Sequence, residues 1–270
     1  MPIHPTALID PRAEIDPTVD IGPYVVIDGP VHIGARTRVM AHAFLTADTH
    51  IGVDNVIHPG AVSGHAPQDL SYRDAPTGVR IGDRNVVREH AEIHRGTQAD
   101  THTILGNDIY LMSHSHVAHN CWIDDRVIVA SGALLAGHVT VGEGAFISGN
   151  CAVHQHVRVG RLAIMRGLGR ASKDVVPFAV LDGTNVVRGI NRVGLRRAGL
   201  SGAAIRDLGR AFHTLFRVRT NLTQAMALLE VGPRSPEVDE LLAFIRSSKR
   251  GVSNGPPQHG GMVRATPDDH

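Results

Sequence analysis

Every sixth residue along most of the first 165 is aliphatic, and this period limits the fold more than any other feature. The phase runs Ile3, Ile9, Ile15, Ile21, Ile27, Ile33, Val39, Leu45, Ile51, Ile57. It breaks at Ser63, Asp69 and Ala75, returns at Ile81, Val87 and Ile93, and pauses at Ala99. It then continues from Leu105 to Met165 without a miss. Of the 28 positions in phase, 24 are Ile, Leu, Val or Met, where average composition would give about a quarter. A helix repeats every 3.6 residues and a strand every two, so neither element carried on alone holds this phase. Short strands joined by turns do hold it, with three hexapeptides closing an 18-residue coil of a parallel β-helix. Gly and Asp after the aliphatic residue, as in Ile21-Gly22 and Ile33-Gly34, suggest turns at positive φ. Only 4% of the residues are aromatic, as expected of a prism filled by narrow aliphatic ladders. A β-sandwich would not keep phase over this length.

Residues 1–176 are therefore expected to form the β-helix, with a polar, Pro- and Gly-containing excursion at 63–80. A long loop leaving a rigid scaffold points to function. Beyond Pro177 the period changes, and residues 177–250 are expected to form an α-helical domain. Helices are expected at 186–198, at 202–219 after an N-cap at Ser201, at 221–230, and at 236–249 after Ser235-Pro236. Residues 251–270 have the composition of a disordered tail. Residues 186–219 hold eight arginines and one aspartate, whereas residues 1–60 hold seven acids and three arginines. The net charge of +1 thus hides a basic C-terminal face suited to a diphosphate or an acidic protein. Broad nucleic-acid binding is not expected at that charge. No apolar run reaches the length of a membrane span, no signal peptide is visible, and two cysteines exclude a disulfide scaffold.

The 18 histidines need an account of their own. Residues 18 apart stack in such a coil, which places His102, His116, His119, His138, His154 and His156 near one edge. This column admits a general base, a metal site, or turn histidines that satisfy the backbone. His119, His138 and His154 are the strongest functional candidates.

The segments IHRGT (93–97), HVAHNC (116–121), LAGHV (135–139), AVHQ (152–155), QDL (68–70) and GLRRAG (194–199) resemble the UDP-N-acetylglucosamine O-acyltransferase family of lipid A biosynthesis. The resemblance spans about residues 1–250. It implies a left-handed parallel β-helix with a C-terminal helical domain, assembled as a cytoplasmic homotrimer. It implies an acyl carrier protein as donor, a UDP-sugar as acceptor, and no cofactor or metal. Carried over by motif, His119 is the general base, Gly137 supplies an oxyanion N–H, and His116 and His138 flank the base. Gln68, Asp69, His154 and Gln155 would contact substrate. Asn191 and Arg197 would serve the nucleotide, and Gly167 would bear on acyl length, with Arg166 and Met165 able to shorten the groove. The chain departs from the family at Asn120, where an aspartate is usual, at Ser71, where a lysine is common, and at Val193, where an acid is familiar.

Two other enzymes fit the same scaffold. One acylates a 3-amino or other UDP-sugar. The other is a γ-carbonic-anhydrase-like metal enzyme, against which the QDL loop and C-terminal helices argue. A catalytically silent scaffold that binds acyl carrier protein is a third class.

Overall fold

A computed structural model describes residues 3–218 and 221–256. The chain folds as a left-handed parallel β-helix. Its strands are two to four residues long and fall in turn on three sheets of nine, eight and ten strands. Parallel partners lie one coil apart, as in Val26↔Phe44 and His116↔Leu134. The aliphatic residue of each hexapeptide points inward: Ile27, Leu45, Ile93, Val117, Leu135 and Val153 are all at most 2% exposed. Burying such a side chain is worth about 1.5–3 kcal/mol, repeated along every coil. A second buried row lies two residues earlier, with Val25, Val31 and Ile109 on some coils and smaller side chains on others. Ala43, Ala61, Ala91, Ala133 and Cys151 occupy it. Cys121 fills an equivalent place, and burial pushes its thiol up to about 12, so it is no nucleophile.

The turns correct one expectation. The glycines after the aliphatic residue are not at positive φ. They are there because a Cβ would strike the next coil: at Gly34 it would stand 2.7 Å from the Gly52 carbonyl carbon, and at Gly160 2.4 Å from Pro177 N. The left-handed residues come two positions later, among them Asp54, Asp108, Asn120 and Asn150, and His42, His90, His114, His138 and His156. Asp, Asn and His tolerate that conformation better than other side chains. Five of the histidines are thereby explained as corner residues.

Strands at Val62–His65 and Gly78–Ile81 shorten the expected 63–80 excursion to 66–77, because its two ends join the sheets. Between those strands the register steps from 18 residues to 30 (Val62↔Glu92), and in the next coil to 24 (Glu92↔His116). Both insertions are whole hexapeptides, which is why the phase survives. Arg95 ties the loop down: its guanidinium donates to the Tyr72 hydroxyl and, at 2.8 Å, to the Gly64 carbonyl.

The C-terminal part differs from the expected helix over 186–198. Val187–Ile190 is a strand antiparallel to Ala179–Leu181, in keeping with its β-branched residues. The helix α1 covers only Arg192–Arg197 and is capped by Asn191. The helices α2 (Gly202–Phe216), α3 (Leu222–Glu230) and α4 (Pro236–Arg246) follow. Leu208, Phe212, Leu215, Leu241 and Leu242 form their shared core. Arg158 docks α4 onto the β-helix: it pairs with Asp174 at 3.0 Å, donates to the Phe244 carbonyl, and lies 4.1 Å over the Phe244 ring. The region expected to be a loose tail starts with order, since Val252 and Asn254 bridge to Asp174 and Val186. Residues 257–270 lie outside the described residues. Among the described residues no helix is long and apolar enough to cross a membrane.

Candidate active site

A groove of about 720 Å³ runs along the nine-stranded sheet and its corner. Its floor is the outward row His116, Leu134, Ala152 and Arg170, which are register partners on successive coils. The row is apolar in the middle and polar at both ends. Gln68 reaches it from the 66–77 loop, and His119, Gly137, His154 and Gln155 border it at the corner.

His119 is held by the coil below it. Asn120 Oδ1 accepts from the Thr97 backbone N–H at 3.1 Å and from the Thr97 hydroxyl at 2.9 Å. A backbone N–H can only donate, so that atom is fixed as the amide oxygen. The His119 Nδ1, 3.0 Å from the same oxygen, must then carry a proton. In the neutral ring this leaves the Nε2 lone pair free. Asn120 thus fixes the orientation of the ring without adding a charge. Nε2 lies 3.8 Å from Asp69 Oδ2, too far for a hydrogen bond.

Asp69 is aimed by Ser71, whose backbone N–H and hydroxyl donate to Oδ1 at 2.8 and 2.7 Å. These bonds hold the Asp69 carboxyl below the usual carboxylate range. Ser71 therefore holds the Asp69 carboxylate in place. Replacing it by alanine should free Asp69 to rotate. We expect KM for the acceptor to rise several-fold in Ser71→Ala, with kcat changed by less than about twofold; steady-state kinetics decides it.

The histidines sort differently from the sequence grouping. His138 meets His119 edge-on at 5.2 Å and stacks on His156 at 4.6 Å. Burial, then the neighbouring His156 and His119, lower the His138 pKa, so it stays neutral near pH 7. The third ring of the contact chain is thus His156, not His154. His154 is exposed, with Nδ1 3.2 Å from the Gln155 carbonyl oxygen. Sequence spacing alone cannot separate 154 from 156, since both flank the same 18-residue address. His94 and Glu92, in and beside the IHRGT segment, also reach this sheet: His116 Nδ1 is 3.3 Å from Glu92 Oε2, and His94 meets His116 edge-on at 4.9 Å.

Gly137 is a steric requirement. A Cβ there would stand 2.3 Å from His119 Cε1 and 2.5 Å from Nε2. Among the described residues its N–H meets no acceptor.

Asn191, Arg197 and Gly167 do not line this groove. Asn191 is committed to α1, accepting from the Gly194 N–H at 3.0 Å and donating to the Leu162 carbonyl at 2.9 Å. Arg197 is exposed in the last turn of α1. Gly167 is exposed at the other corner of the sheet. Met165 is fully buried inside the prism and cannot shorten a surface groove, while Arg166 is turned to Asp182 at 3.1 Å.

A histidine whose Nδ1 is fixed on the Asn120 amide oxygen, at the edge of an apolar groove on a hexapeptide β-helix, defines a left-handed β-helix acyltransferase. The family described as "Udp N-acetylglucosamine O-acyltransferase; Domain 2" matches residues 174–253. An acyl-[acyl-carrier-protein]–UDP-N-acetylglucosamine O-acyltransferase of Gloeothece citriformis is 44% identical over 92% of this chain and 90% of its own length. One from Thermodesulfovibrio yellowstonii is 42% identical over 93% and 98%. The crystal structure of a UDP-N-acetylglucosamine acyltransferase from Bacteroides fragilis superposes with a TM-score of 0.90 at 39% identity, covering 93% of this chain and 99% of that one. The chain belongs to the UDP-N-acetylglucosamine O-acyltransferase family.

Proposed function

We propose that this chain transfers a 3-hydroxyacyl group from acyl carrier protein to the glucosamine 3-hydroxyl of UDP-N-acetylglucosamine, the first step of lipid A biosynthesis, with His119 as general base. The observation that carries the assignment is the free Nε2 of His119, its tautomer set by Asn120 and Thr97.

Nε2 takes the proton of the sugar hydroxyl as that oxygen attacks the thioester carbonyl. The tetrahedral oxyanion that forms accepts the Gly137 N–H. Its collapse breaks the C–S bond, and the His119 imidazolium returns the proton to the leaving thiolate of the carrier. Asp69 and Gln68 hold the sugar at the loop side. His154 and Gln155 contact substrate along the corner, and His116 and His138 confine the base. The Leu134–Ala152 strip takes the acyl chain, and Gly167 leaves the far corner open to it. Arg197 meets the diphosphate, and Asn191 supports it by capping α1.

The active assembly is a homotrimer in the cytoplasm, with grooves completed between copies. Leu70, at the tip of the loop beside Asp69, is 99% exposed in the single chain; burial by a neighbouring copy accounts for a leucine there. An amide-forming reading differs only in the acceptor. With equal UDP-N-acetylglucosamine and its 3-amino analogue competing for one acyl carrier protein donor, the ester is expected to dominate. Predominant amide would transfer the assignment to the amino sugar.

A further inference from the structure

Beside the groove lies a set of ligand atoms, two of them on Glu92 and His94, to which the acyl transfer gives no role. Glu92, His94 and His116 each offer one, and the three lie within 4.8 Å of one another. They come from rigid strands: Glu92 and His94 share one, and Glu92 is the register partner of His116. The Glu92 Oε2 to His116 Nδ1 distance is 3.3 Å. Two ligands on a tetrahedral zinc with bonds of about 2.0 Å stand roughly 3.3 Å apart, so this pair is already spaced for the ion. His94 is 4% exposed, and its Nδ1 has no hydrogen-bond partner, which is unusual for a buried polar atom. Arg95, the nearest cation in sequence, is turned away onto Tyr72 and the Gly64 carbonyl. The carboxylate and the His116 ring keep partial access to solvent, so an ion has an entry path.

We propose that Glu92, His94 and His116 form a binding site for a zinc-class dication, and that its occupancy inhibits the enzyme reversibly. Two imidazoles and one carboxylate form a zinc ligand set that leaves a fourth position for water. His116 also lines the groove, so a bound dication fixes that ring and puts positive charge beside the place where His119 must accept a proton. The inhibition rests on the acyl-transfer reading; the binding does not.

Metal-free wild-type protein is titrated with Co²⁺, following its visible d–d bands, and Zn²⁺ is then added in competition. One Co²⁺ per chain, displaced by Zn²⁺, is expected. Glu92→Gln, at a half-exposed carboxylate that the reaction does not use, should weaken binding by about tenfold or more and lift zinc inhibition in parallel, with unchanged circular dichroism. Binding without a single stoichiometric site, or equal binding by Glu92→Gln, overturns the site. Inhibition that persists in a Glu92→Gln variant with weakened metal binding overturns the regulatory role. A protein that binds Co²⁺ as described but transfers no acyl chain without metal defeats the transferase reading while leaving the site in place.

Discussion

His119→Ala is expected to lower kcat by about 10²–10⁴, the usual worth of a positioned general base. KM for the nucleotide sugar should change little, because Asp69 and Gln68 remain. Folding should be retained: the ring lies at a corner of the groove, outside the aliphatic ladders, and its removal leaves Ile123, Leu135 and the rest of the prism untouched. Circular dichroism and thermal melting of the variant distinguish lost chemistry from lost structure. A wild-type rate in a folded His119→Ala protein would remove this residue as the base and revive the silent scaffold.

Gly137→Ala carries the second large effect, expected to lower kcat about 10²-fold. The backbone at 137 tolerates a side chain, as its φ is not in the left-handed region. The new methyl, however, meets the His119 ring at 2.3 Å, and the ring must move by about 1 Å to reach ordinary contact. Displacements of that size at a reacting group cost on the order of 10²-fold. The ring has little freedom to retreat, with Nδ1 tied to Asn120 and the His138 ring in T-shaped contact at 5.2 Å. Gly149→Ala is the matched control on the same scaffold, since its nearest neighbour would be Ser131 O at 3.4 Å. Its kcat should stay within about twofold of wild type.

The β-helix is readable because every coil, including the two enlarged ones, is built from whole hexapeptides, so one inward residue per hexapeptide records it directly. Motif resemblance singled out His119, and 18-residue stacking brought out the neighbourhood of His119 and His138 but not the choice between His154 and His156. The same rule hid the rest. Glu92 stacks on His116 across a 24-residue step, so no fixed interval in the sequence joins them. His138 and His156 sit where the chain needs a left-handed residue, and a corner histidine looks the same whether or not its ring belongs to the contact chain that ends on His119. Ser71 and Asn120 stand out in sequence only as departures from a pattern; their hydrogen bonds to Asp69 and His119 show what they do. The strand at Val187–Ile190 lies in an arginine-rich stretch that also suits a helix, and its pairing with Ala179–Leu181 decides the matter.

The decisive measurement is the mass of the product formed when the wild-type protein is given UDP-N-acetylglucosamine and a ladder of 3-hydroxyacyl carrier proteins. The expected product is the nucleotide sugar plus one 3-hydroxyacyl group, held as an alkali-labile ester, with free carrier thiol released in equal amount. No added mass on the sugar with any carrier-bound acyl group, or carrier thiol released without transfer, would contradict the account.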